Sequence, residues 1–151
     1  MPIVESDGSM FESGADILIN PVNCVGVMGK GLALEFSKRY PCILPEYRDW
    51  CKTTECFAGA IRMCSVSKPR ILLFATKDHW RNPSKLEWIT SGLLMTRHLY
   101  TSVGRCHDTI AIPALGCGLG GLEWEEVKKA IIRILGDVQN KVIIFNPQGK
   151  I

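Results

Sequence analysis

Residues 20–31 read Asn-Pro-Val-Asn-Cys-Val-Gly-Val-Met-Gly-Lys-Gly. The apolar run Ile17-Leu18-Ile19 precedes them, and an amphipathic segment, Leu32 to Tyr40, follows. This order predicts a buried strand, a glycine-rich loop and a helix. Gly26, Gly29 and Gly31 can take backbone angles closed to other residues and let a ligand approach the main chain. The helix behind the loop brings unpaired N–H groups and the positive end of its dipole, a setting that suits phosphate. Asn20 and Asn23 add amides that can bond sugar hydroxyls. A structural turn with a helix cap is the plainer reading, but three glycines and two asparagines in twelve residues favour a ligand loop.

A second loop of this kind lies far downstream. Leu115 to Gly121 reads Leu-Gly-Cys-Gly-Leu-Gly-Gly, after the run Ile110-Ala111-Ile112-Pro113-Ala114 and before a predicted helix, Glu123 to Leu135. Neither loop ends in the Gly-Lys-Ser/Thr of a P-loop. Neither carries the dinucleotide fingerprint with its acidic residue about 20 positions on, which disfavours a Rossmann dehydrogenase. Two strand–loop–helix units facing one diphosphate suggest a nucleotide-like ligand gripped from both sides.

The rest of the chain fills in around these units. Ile3-Val4 begins a short strand, and Glu5 to Ser9 is turn-like. Pro41 stops the first helix, and Pro45 opens a second, running to Trp50 or Lys52. Ile61 to Val66 and Ile71 to Thr76 are predicted strands. Ser84 with Glu87 forms a capping box for a helix from Lys85 to about Ser102, with Leu86, Ile89, Leu93 and Leu94 on or near one face and Gly104 able to end it. Thr109 to Pro113 and Lys141 to Phe145 complete the strands. Alternating strands and helices predict a three-layer α/β/α sandwich with a mostly parallel central sheet.

The 151 residues fit one domain with a real core. Hydrophobic residues make up 46% and charged residues 22%, ordinary values for a soluble globular protein. A net charge of +3 does not establish nucleic-acid binding, but it does not oppose an anionic ligand. No run approaches the roughly 18 apolar residues of a membrane span, and the N-terminus lacks the pattern of a signal peptide. Cys24, Cys42, Cys51, Cys56, Cys64, Cys106 and Cys117 are odd in number, with no Cys-x-x-Cys pair. They fit free thiols in a reducing cytosol better than zinc or redox motifs. Cys24 and Cys117, inside the glycine loops, read as small packed thiols rather than nucleophiles.

The strand from Ile71 runs into Lys77-Asp78-His79-Trp80-Arg81-Asn82-Pro83, polar and aromatic groups where α/β sheets place chemistry. A partly desolvated Lys77 would hold more neutral, nucleophilic amine. A surface lysine at a strand end is the equal alternative. His79 can donate to a phosphate or sugar, or simply pack beside Trp80. The three histidines are too scattered for a metal site. Glu123, Glu125 and Glu126 suit a helix N-terminus. The four tryptophans read as packing groups. Phe145, at the same sheet edge as the loops, either stacks on an adenine or belongs to the core.

Three segments carry a resemblance: 20–31, Phe-Ala-Thr-Lys-Asp-His-Trp-Arg at 74–81, and Ile-Pro-Ala-Leu-Gly-Cys-Gly-Leu-Gly-Gly-Leu-Glu-Trp at 112–124. With their order and spacing from about Gly8 to Phe145, the chain resembles the macrodomain family, which binds ADP-ribose. It is most similar to the branch of the DarG antitoxin macrodomain and the human terminal ADP-ribose glycohydrolase. The resemblance implies a single macrodomain over residues 1–151 with a mixed central sheet between helices. It implies that the first loop (Asn20, Val22, Gly29, Gly31, Leu32) and the second (Leu115, Gly116, Cys117, Gly118, Leu119, Gly120) hold the diphosphate and distal ribose. Asn23 would bond that ribose near its anomeric carbon. Ser9 and Met10 fall at the adenine turn, with Ser9 where the family often has aspartate. Phe145 and Asn146 fall near the adenine and its ribose, and His79 beside the site. Lys77 matches the catalytic lysine of this branch, while Gly120 stands where the human relative has an acid.

The implied activity is that of a metal-independent ADP-ribosyl glycohydrolase without cofactor, removing ADP-ribose from DNA, typically from thymine, or from protein. Lys77 would attack the anomeric carbon or, charged, assist departure of the aglycone. The alternatives are a non-catalytic ADP-ribose-binding module and an ADP-ribose phosphate phosphatase. The implied setting is a cytoplasmic monomer with no membrane partner and, by likeness to the antitoxin, a DNA ADP-ribosyltransferase toxin as partner.

Overall fold

A computed structural model describes residues 3–102 and 104–147. Six strands, β1 (Ile3–Ser6), β2 (Ile17–Val22), β3 (Ile61–Ser67), β4 (Arg70–Ala75), β5 (Ile110–Ile112) and β6 (Val142–Phe145), form one sheet in the order β1-β6-β5-β2-β4-β3. All neighbours are parallel except β3, which returns antiparallel beside β4. The helices are α1 (Gly31–Arg39), α2 (Ile43–Cys51), α3 (Leu86–Tyr100) and α4 (Trp124–Leu135). The expected mixed three-layer sandwich is therefore present.

Two-residue alternation along the strands sorts the core into its two faces. Ile17 and Ile19 of β2, Leu72 and Phe74 of β4 and Ile110 and Ile112 of β5 pack with Ile89 and Leu93 of α3 and Val127, Ile131 and Leu135 of α4. Leu18, Val22, Ile71, Leu73, Ala75 and Ala111 point the other way, toward Phe36 of α1 and Ile43, Tyr47 and Trp50 of α2. α3 lies so close to β4 that a Cβ on Gly92 would stand 2.2 Å from the ring of Phe74. No helix among the described residues is long and apolar enough to cross a membrane.

Several local expectations need correction. The α3 cap is not a capping box: Lys85 holds the N-cap position with no side-chain bond, and Ser84 is turned inward. Its N–H donates to the Gly120 carbonyl at 2.9 Å and its hydroxyl is buried beneath the second glycine loop, which removes it from the helix end. Leu94 is 53% exposed, because Gly92, Leu93 and Thr96 take the inward face of α3. That helix stops at Tyr100, with Thr101 as its C-cap, and Gly104, at φ +89, belongs to the turn beyond. α2 begins at Ile43, so Pro45 sits within its first turn rather than opening it. Trp80 is 45% exposed and is not a core group.

Candidate functional site

The three quoted segments leave the C-terminal ends of β4, β2 and β5, which are neighbours in the sheet. Parallel α/β sheets place ligands at this edge. Hydrogen bonds stitch the segments together. The Cys24 N–H donates to the Asp78 carbonyl at 3.2 Å. The Cys24 thiol lies 3.4 Å from the Lys77 carbonyl. The Lys77 ammonium reaches the second glycine loop, with Nζ 3.2 Å from the Leu119 carbonyl and 3.2 Å from that of Trp80. Burial lowers the Lys77 pKa below its ordinary 10.5, whereas two carbonyl acceptors favour the charged form. Lys77 thus joins the strand-end segment to the second glycine loop through its side-chain nitrogen.

Asn23 is the staple of the first loop. Its Oδ1 accepts from Val25 N–H at 3.0 Å and from the Tyr47 hydroxyl at 2.7 Å, and its Nδ2 donates to the Val27 carbonyl at 2.8 Å. One amide hydrogen remains for a ligand. The same hydroxyl lies 2.8 Å from the Asn23 carbonyl, so its one proton is shared between the two oxygens, and burial pushes its own pKa up, so it stays a neutral donor. Nothing in the sequence marks Tyr47, which looks like any core aromatic of an amphipathic helix. Asn20 is fully buried, its Nδ2 is 3.9 Å from the Met28 sulfur, and it supports the loop from below. Val22 is also buried, and its carbonyl accepts from the Thr76 N–H. Gly31, at φ +58, starts α1, and a Cβ there would meet open space; Gly29 and Leu32 flank it.

The second loop makes a tight turn. Gly116 and Gly118 have φ of +73 and +64, and Gly118–Gly120 form one 3-10 turn. Leu115 is buried and Leu119 is 69% exposed. A Cβ on Gly120 would lie 2.6 Å from the Ser84 hydroxyl oxygen, so this position has no room for an acidic side chain while Ser84 stays in place. Burial, aided by Glu123, pushes the Cys117 thiol up to about 11, in keeping with a packed thiol. Glu123 itself is the N-cap residue of α4, with Glu125 and Glu126 in its first turn.

Beside Lys77, Asp78 accepts from Asn82 Nδ2 and from the His79 N–H, and the Asn82 bond leads in lowering its pKa. His79 Nδ1 accepts from the Arg81 N–H at 3.1 Å, and the ring leans on Trp80. Arg81 in turn stacks over Trp80 at 4.6 Å, leaving a cationic and aromatic rim. At the far end, Asn146 donates to Asp7 at 2.8 Å and accepts from Trp124 Nε1 at 3.2 Å, joining β6, β1 and α4. Sequence reading had passed over Asp7. The Ser9 hydroxyl caps the turn Met10–Glu12, and the Met10 side chain is buried. Phe145 is 5% exposed within the α1/α2 core, so any stacking surface it offers an adenine is small.

A cavity of about 450 Å³ lies at the N-terminal edge of the sheet, lined by Asp16, Lys68, Arg70 and Asp108 among others. Because the loops and Lys77 are at the other edge, we assign the chemistry there. Among the described residues, no three His, Cys, Asp or Glu side chains are placed to hold a metal ion.

A family model described as Macro domain matches residues 19–131. The DNA ADP-ribosyl glycohydrolase of Mycobacterium tuberculosis is 35% identical over 152 residues, 97% of this chain and 43% of that protein. The DNA ADP-ribosyl transferase-DNA ADP-ribosyl glycohydrolase fusion protein of Thermosipho africanus is 36% identical over 163 residues, covering 95% of this chain and 42% of that protein. The structure of Thermosipho africanus DarTG in complex with ADP-ribose superposes with a TM-score of 0.90 at 36% identity, covering 97% of this chain and 42% of that one. The chain thus spans less than half the length of these relatives.

Proposed function

Because the chain belongs to the macrodomain family, we propose that it binds ADP-ribose between its two glycine loops and hydrolyses the bond joining ADP-ribose to a base in DNA, typically thymine. The observation that carries this reading is Lys77 at the contact of the loops, with its ammonium held by the Leu119 and Trp80 carbonyls. A pure binding module has no need of a cation there. The names of the relatives support the same reading, and the Trp80–Arg81 rim suits a nucleic-acid aglycone.

In this mechanism the glycine loops hold the diphosphate and distal ribose, and the free amide hydrogen of Asn23 orients that ribose. The bond at the anomeric carbon breaks as Lys77 donates its proton to the leaving base, and water completes the hydrolysis. The carbonyl contacts of Nζ favour this general-acid role over attack by a neutral amine. The fusion of a transferase to the glycohydrolase in one relative supports a DNA ADP-ribosyltransferase as partner.

The test presents purified protein with single-stranded DNA ADP-ribosylated on thymine and, in parallel, with protein ADP-ribosylated on acidic side chains, and quantifies free ADP-ribose. Release from DNA that is lost in Lys77→Ala, with ADP-ribose affinity retained, is the expected result. Release only from protein moves the substrate class. Binding of ADP-ribose with no release from either leaves a binding module in place of the hydrolase.

A further inference from the structure

Three free thiols meet behind the site, at a place that no motif marks. Cys24 follows Asn23 in the first loop, Cys51 ends α2, and Cys56 lies in the loop beyond. The Cys56 and Cys51 sulfurs are 3.9 Å apart, about 2 Å more than a disulfide bond. The Cys24 pKa is lowered, chiefly by the neighbouring Cys56 thiol. All three are partly exposed, and Cys24 and Cys51 line a cavity of about 310 Å³ together with Arg48 and Lys52. The cluster touches the main chain of both residues central to the chemistry: Cys51 Sγ is 3.9 Å from the Asn23 carbonyl and Cys24 Sγ 3.4 Å from that of Lys77.

We propose that this cluster is an oxidation site, at which a hydroperoxide converts Cys51 and Cys56 into a disulfide and so loosens the seat of Asn23. The Cys51 thiolate attacks the peroxide O–O bond, giving a sulfenic acid and, after one proton is taken up, an alcohol (water for hydrogen peroxide). The Cys56 thiolate, formed as its proton passes to the departing hydroxyl, attacks the Cys51 sulfur and expels water. Two thiols and one peroxide become one disulfide, one alcohol and one water; sulfur supplies the two electrons. The division of labour follows from the hydrogen bond. Cys56 donates its one S–H proton to Cys51, which lowers the Cys51 pKa and raises its own. Arg48 and Lys52 line the same cavity as Cys51. Cys64, by contrast, is buried and its thiol is pushed up to about 12. Once Cys51 is tied to Cys56, its thiol no longer donates to the Asn23 carbonyl, and the end of α2 that carries Tyr47 shifts with it.

The test treats the whole chain with near-stoichiometric hydrogen peroxide, maps linked peptides by mass spectrometry, and measures ADP-ribose affinity by calorimetry before and after dithiothreitol. A Cys51–Cys56 peptide is expected, with these thiols lost about tenfold faster than Cys64. The affinity should fall and return on reduction; Cys56→Ser should bind normally and lose the response. The affinity half rests on the ADP-ribose reading, and the peptide map does not. Reduced protein that fails to bind sinks that reading alone, while the linked peptide still decides the oxidation site. A Cys24–Cys56 link, scattered pairing or over-oxidation without the disulfide overturns the proposal, and a disulfide that leaves affinity unchanged overturns its tie to Asn23.

Discussion

At the scale of single residues, Lys77 and Tyr47 are the positions where function can be probed most directly. Lys77 has a lowered pKa because it is partly buried. A general acid works in its protonated form, present below its pKa and lost as pH rises through it. The turnover rate is therefore expected to fall on the alkaline side, with its inflection below the 10.5 of free lysine. A rate that instead climbs over that range in a kcat profile would point to the neutral amine as nucleophile. Tyr47→Phe removes one hydroxyl and with it the proton shared between the amide and carbonyl oxygens of Asn23. Because Val25 N–H still reaches Oδ1, the expected cost is only about 1 kcal/mol in urea denaturation, with a larger relative loss of ADP-ribose affinity, checked by calorimetry. Lys77 stands out in the sequence because a cation closely follows the apolar run at residues 71–75, although a surface lysine at a strand end is the equal reading of those residues. Tyr47 does not, because its role depends on a chain reversal that brings α2 under the loop from 24 residues away.

At the scale of elements, the closest approach in the fold is between α3 and β4. With the Phe74 ring 2.2 Å from a Cβ built on Gly92, Gly92→Ala is expected to destabilise by about 1–3 kcal/mol or more. At about 2–4 °C per kcal/mol, differential scanning calorimetry would read this directly as a fall in Tm. Most elements were easy to read: residues 71–75 of β4 are an apolar run and α4 has strong helical periodicity, but β2 continues past its apolar run through Asn20, Pro21 and Val22, which the sequence places in the loop segment. Ser84 was misread for a physical reason. A serine followed three residues later by glutamate is a sound local signal, yet the bond from its N–H to Gly120 pulls it out of the cap. Local chemistry proposes such caps, and a contact between segments 36 residues apart decides them. The thiol cluster escaped notice for the same reason, since Cys24 joins Cys51 and Cys56 only after folding.

At the scale of the whole molecule, the site draws on loops from β2, β4 and β5, with β6 and β1 continuing the same edge. The proposed chemistry uses Lys77 and no metal, so prolonged dialysis against EDTA is expected to leave ADP-ribose release unchanged in the assay with modified DNA. The order of strands adds a separate expectation. β6, the last strand of the chain, lies between β5 and β1, and β1 pairs with nothing else in the sheet, Ile3 matching Val142 and Ser6 matching Phe145. Deleting the chain from Lys141 onward is expected to abolish the cooperative thermal transition seen by circular dichroism, although β2, β4 and α3 remain. On the ribosome, β1 must wait until β6 has been made before it finds its neighbour, Ile3 to Val142 being 139 positions apart. A nascent chain stalled before Val142 exposes the unpaired edge of β5, and a folding helper would find its natural grip there. Synthesis of the final strand closes the sheet, and the Asn146 bonds to Asp7 and Trp124 fasten it.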